Sequence, residues 1–188
     1  MENTFMTQAN LVTPLTPDEL KRIEDRLGAV LSYAWVQAAD PFLPSAHVVV
    51  EESSNGFERL YGGLARVLKC SSQPRFYAIQ YGTENNQCIT LDCGHAIPGG
   101  LNQDTFDALG YDIGYLINGM DFILCDDTGL WAIITTTDVV IVGGGAEYVN
   151  AFYADKATQL EASAAFDAFV TTGDVRSSYT AMRRYRRG

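Results

Sequence analysis

The sequence predicts an α+β domain built on a single antiparallel sheet of five or six strands with helices packed on one face. Two observations lead there. Runs rich in β-branched and aromatic residues recur at 46–51, 75–81, 87–92 and three times between 121 and 142, divided by short stretches of Gly, Asp, Asn and Thr. Apolar residues at helical spacing occupy 16–40, 56–70 and 146–170, before, between and after those runs. The 188 residues, 47% of them hydrophobic, suffice for one core and are short for two. Residues 1–175 are therefore expected as one domain, with 1–15 loose, and 176–188 as a solvated basic tail.

Each element has its own warrant. Thr16-Pro17-Asp18-Glu19 offers an N-cap hydroxyl, a proline at the first helical position and a glutamate able to bond back to the cap. Leu20, Ile23, Leu27, Val30, Leu31 and Ala34 follow on one face, with Lys21, Arg22, Glu24, Asp25 and Arg26 on the other. This helix is expected to run to about Asp40, because Pro41 and Pro44 lack amide hydrogens. A strand over 46–51 comes next. Phe57, Leu60, Tyr61, Leu64, Val67 and Leu68 then mark a helix over 56–70, in which Gly62 and Gly63 each cost about 1 kcal/mol. Strands over 75–81 and 87–92 flank a hairpin loop, and 94–100 reads as a turn-rich loop. Asp104 can cap a short helix over 105–109 that Gly110 ends, while 111–117 fits helix or strand.

The stretch 121–152 organises the rest. Three apolar runs are separated by Asp126-Asp127-Thr128-Gly129 and by Thr136-Thr137-Asp138, whose side chains bond or bend the local backbone, so a three-stranded meander is expected. Gly143-Gly144-Gly145 ends the third strand and lets the chain reverse into a helix from about Ala146. A second helix, or its continuation, spans 156–170.

Charge narrows the function classes. The chain has 13 basic and 23 acidic residues, a net charge of −10. Residues 1–175 contain eight basic and all 23 acidic residues, net −15, whereas the last thirteen residues carry five arginines. Such a body repels nucleic acid and anionic membrane and attracts a basic partner. The N-terminal residues lack the basic and apolar regions of a secretory signal, and no apolar run approaches a membrane span, so a cytoplasmic protein with reduced thiols is expected.

The catalytic candidates are few. Ile141-Val142-Gly143-Gly144-Gly145-Ala146-Glu147 has the strand, glycine turn and helix of a dinucleotide site, but Tyr148 stands where the third glycine belongs and Glu147 puts negative charge where the phosphate would sit. A structural turn is the better reading. Cys88, Cys93 and His95, with Cys125, are metal-ligand types, yet their spacing differs from the paired clusters of zinc sites. Cys93 with His95 or His47 as base is the remaining nucleophile candidate, a loop site suited to a small hydrolase or transferase. Neither metal nor cofactor is expected. For binding, the candidates are the acidic residues Glu51, Glu52, Asp126 and Asp127 with the amphipathic Trp131.

Trp131-Ala-Ile-Ile, Asp138-Val-Val-Ile-Val, Gly143-Gly144, Tyr148-Val149 and Phe152 occur in an order that resembles the C-terminal part of small bacterial α+β domains that include immunity proteins of polymorphic-toxin and contact-inhibition systems. The resemblance covers about a quarter of the chain and brings no catalytic residue with it. It implies a non-enzymatic acidic module that blocks a basic partner, such as a cognate toxin, by stoichiometric binding. A domain that self-associates through an aromatic patch is the third expectation.

Overall fold

The computed structural model describes residues 11–32, 41–84, 88–116, 121–136, 138–172, 182 and 186. The elements run β1 (Thr13–Pro14), α1 (Pro17–Leu27), β2 (His47–Glu52), α2 (Ser53–Ser71), β3 (Arg75–Glu84), β4 (Cys88–Pro98), α3 (Gln103–Leu116), β5 (Phe122–Cys125), β6 (Trp131–Thr135), β7 (Val139–Gly144), α4 (Ala146–Tyr153) and α5 (Lys156–Thr172). One antiparallel sheet joins the strands in the order β1-β4-β3-β5-β6-β7-β2, and β5, β6 and β7 form the expected meander.

The sheet has seven strands, one or two more than predicted. The additional one, β1, is two residues of the supposedly loose lead-in, paired with Ala96 and His95 of β4. A stretch that short has no periodicity to read.

The helices also cover both faces of the sheet, where one was expected. Because successive strand residues point to opposite sides, Val49, Ala78, Leu124, Ile133 and Val142 share a core with α2, α3 and α4. Their neighbours Val48, Tyr77, Ile123, Ile134 and Ile141 pack with Ile23 and Leu27 of α1. Helix α5 lies along the edge strand β2, giving Ala162 to the first core and Phe166 to the second. Cover by α5 leaves little of the β2 edge for other chains to pair with.

Helix α1 starts as its capping box requires: Glu19 N–H donates to Thr16 Oγ1 at 3.3 Å and the Thr16 amide donates back to Glu19 Oε2 at 2.9 Å. It ends at Leu27, well before Asp40. Gly28 caps it, the amides of Ala29 and Val30 close tight turns onto Arg26 and Leu27, and Leu31 bridges to Phe42. Glycine and a β-branched residue are poor continuations, and Val30 and Leu31 keep their apolar contacts from a turn. Residues 33–40 of that expectation lie outside the described residues.

Two further boundaries move. The expected loop at 94–98 is strand, since β4 stays paired with β3 as far as Pro98. Helix α3 passes through Gly110 to Leu116 and is capped by Asn102, whose Oδ1 accepts from the Thr105 amide at 2.8 Å. Of the Gly62-Gly63 pair, Gly63 proves to be a packing device: a Cβ there would overlap the Phe152 ring, so α2 and α4 approach closely only without it. The tail, expected to be solvated, is docked at both of its described residues. Met182 is buried in the α1-side core, and Arg186 lies over the Phe166 ring.

Candidate functional site

Asp126 and Trp131 form one buried unit at the end of the meander. Leaving β5, the chain turns through Asp126-Asp127-Thr128-Gly129, with Gly129 at φ +63°. The fully buried Asp126 carboxylate accepts from the Thr128 amide at 2.8 Å, from the Thr128 hydroxyl, and from Trp131 Nε1 at 2.9 Å. These bonds close an Asx turn and fix the indole that begins β6. Both side chains are thereby spent inside the fold.

Asp127 faces outward and meets three arginines. Arg22 and Arg26 of α1 approach its Oδ1 at 3.4 and 3.2 Å, Arg75 of β3 approaches Oδ2 at 3.5 Å, and Arg26 also donates to its carbonyl. One carboxylate thus pins α1 to the end of the sheet. The buried phenol of Tyr77 beneath is pushed up to about 12, by burial first and by Asp127 second.

Glu51 sits at the centre of a second polar group. Its strand position turns it inward beneath α4, where it is fully buried. Tyr153 Oη donates to its Oε1 at 3.1 Å. Arg59 Nε lies 3.3 Å from Oε2, a contact whose N–H direction misses hydrogen-bond geometry. Burial raises the Glu51 carboxyl to about 7, against the lowering effects of Tyr153 and Arg59, and burial likewise drives the Tyr153 phenol well above its ordinary range. Glu52, half-buried, precedes the first turn of α2 and makes no side-chain cap there. Of the five residues proposed for binding, Glu51, Asp126 and Trp131 are therefore interior, and only Asp127 and Glu52 reach solvent. Arg59 and Tyr153 belong to no motif and could not be found in the sequence; they meet Glu51 because α2 and α4 cross the same strand.

Cys93 and His95 are successive same-face positions of β4, not members of a loop pocket. Their Cα atoms are roughly 6.6 Å apart by strand geometry. The exposed Cys93 thiol donates to Gln80 Oε1 at 3.4 Å, while burial lowers the His95 pKa and leaves its Nδ1 without a hydrogen-bond partner. Cys125 points to the opposite face of the sheet, where burial raises its thiol well above the ordinary value. Of the residues considered as metal ligands, Cys93, His95 and Cys125 are thus split between two faces, the Cys88 side chain lies outside the described ones, and among the described residues no group of three or more His, Cys, Asp or Glu comes together. Cys93 is expected to alkylate no faster than an unfolded control at neutral pH, and Cys125 only upon unfolding. Peptide-resolved mass spectrometry checks this, and a fast Cys93 would restore the nucleophile reading.

At the head of α4, the Glu147 carboxylate folds back over Gly145, filling the place a phosphate would need. Gly144, at φ +147°, packs directly on Trp131. The glycines thus serve the turn.

A cleft of ≈600 Å³ opens between α4, α5 and the start of β2, lined by polar residues including His47, Asn150, Lys156, Gln159 and Arg186. No motif pointed to it. Together these features define an acidic α+β domain with helices on both faces of an antiparallel sheet and a sizeable cleft between α4, α5 and β2. Comparison with protein-family models, with curated proteins and with solved structures finds no match to this chain. Among the described residues, no helix is long and apolar enough to cross a membrane.

Proposed function

We propose that this chain is a non-enzymatic binding module of the cytoplasm that engages a basic protein partner, in the manner of an immunity protein neutralising a toxin. The sorting of charge carries this reading. Nine basic residues are described, and six of them, Lys21, Arg22, Arg26, Arg59, Arg75 and Arg186, face carboxylates of the chain itself. A seventh, Arg66, donates to the carbonyls of Ala151 and Phe152 at the end of α4. By contrast Asp18, Glu58, Asp104, Asp107 and Glu147 are exposed on helix surfaces. Cations committed internally leave the outer field negative, which speeds encounter with a basic surface and sets its orientation.

The test is titration with the product of the adjacent gene. The expected result is a one-to-one complex at low salt that weakens by about tenfold or more at high salt, with slower association for the double variant D104K/D107K. Absence of a complex at low salt, or an affinity indifferent to salt, overturns the proposal.

A further inference from the structure

We infer that the cleft between α4, α5 and β2 binds a small organic anion, a molecule with an apolar body and a head that only accepts hydrogen bonds. This is a site separate from the protein-binding surface proposed above. Its ≈600 Å³ falls within the roughly 300–1,000 Å³ of small-molecule sites. Val48, Val49 and Val149 supply an apolar floor, and Leu160, 62% exposed, stands in its lining as one of two large apolar side chains the described chain leaves in water.

The polarity of the wall follows from one fixed point. An ammonium can only donate, so the Gln159 atom 3.2 Å from Lys156 Nζ is the acceptor Oε1. Gln159 must then present its Nε2 to Asn150 at 2.7 Å, which fixes that Asn150 atom as Oδ1. Asn150 is left with its amino group, two donors. Arg186 also lines the cleft, where its outer nitrogens hold Asp167 at 2.6 and 3.1 Å.

Asp155 supplies the one carboxylate of the lining, and its Oδ1 takes the Thr158 amide at 2.7 Å as the cap of α5. The Lys156 ammonium and the Asn150 amino group favour an acceptor-rich head, and the valine floor selects an apolar body.

Titration of the intact protein with anilinonaphthalene sulfonate tests the inference, with phenylnaphthylamine as the same apolar body lacking the anionic head. The sulfonate should give saturable one-to-one fluorescence and bind at least about tenfold more tightly than the amine. Lys156→Met and Asn150→Ala, both at exposed positions, should each weaken the sulfonate by about tenfold and leave the amine unchanged. Ser163→Trp, which fills the cleft with an indole, should abolish binding of both. Amide chemical shifts in the unaltered protein, which depend on no variant, should move at 47–49, 146–156 and 159–163. Equal affinity for the two dyes, no saturable binding, shifts centred elsewhere, or full affinity in well-folded Lys156→Met overturns the assignment.

Discussion

Replacing Asp126 by alanine is expected to destabilise the protein by about 3–4 kcal/mol. The carboxylate is buried and accepts three hydrogen bonds, so its removal leaves the Trp131 indole N–H and the Thr128 amide inside the protein with nothing to donate to. Each stranded donor costs about 1–3 kcal/mol. The loss should spread, because the same turn fastens α1: Asp127 holds Arg22 and Arg26, and Gly129 packs against the Arg26 backbone. Asp126→Asn makes the sharper variant. Its oxygen can serve Thr128 or Trp131 but not both, and its amino group must then face a donor, so asparagine should recover only part of the loss. Urea unfolding followed by tryptophan fluorescence measures both variants, and hydrogen exchange in α1 reports the coupling. An Asp126→Ala protein within about 1 kcal/mol of the parent would show that Asp126 does not hold this turn.

That turn shows how far the sequence could be read. Asp, Asp, Thr and Gly between two apolar runs specify a turn through local chemistry, and the turn is where they put it. Which way Asp126 points is a different matter: its bond to Trp131 depends on β6 returning beside β5, so a residue proposed for a partner lies in the interior. The capping box of α1 was legible because both partners lie within four residues. The two-sided sheet also left a signal. The runs Val48-Val49-Val50, Trp131-Ala-Ile-Ile134 and Val139-Val-Ile-Val142 contain no polar alternation, and strands of that kind are buried on both faces. A helix on each side follows from them, whereas the one-face reading suits strands that alternate. The cleft was beyond reach, since Asn150, Gln159 and Arg186 acquire meaning only when α4 and α5 fold back onto β2 and Arg186 docks beside them.

The same distance separates Glu51 from what controls it, and the consequence is a dependence on pH. Stability is expected to fall as pH rises from about 4.5 through about 7, by about 3 kcal/mol in all. The fully buried carboxyl has its pKa raised to about 7 from an ordinary 4.5, with burial the dominant cause. A raised folded-state pKa means that the folded protein holds the proton more tightly than the unfolded chain does. Its contribution is complete below the unfolded value and is lost as pH passes the folded one. Glu51→Gln imitates the protonated acid, still accepts from Tyr153, and never ionises. It should match the parent near pH 5, exceed it by about 2–3 kcal/mol above pH 8, and lack the slope between. Urea midpoints across that range decide the matter, and a parent curve that stays flat, or a glutamine variant with the parent's slope, would mean that Glu51 is ionised in the native state. The loosening at high pH should appear as faster hydrogen exchange in β2 and α4, which Glu51 and Tyr153 join, because charging the carboxyl forces that seam to admit water or part.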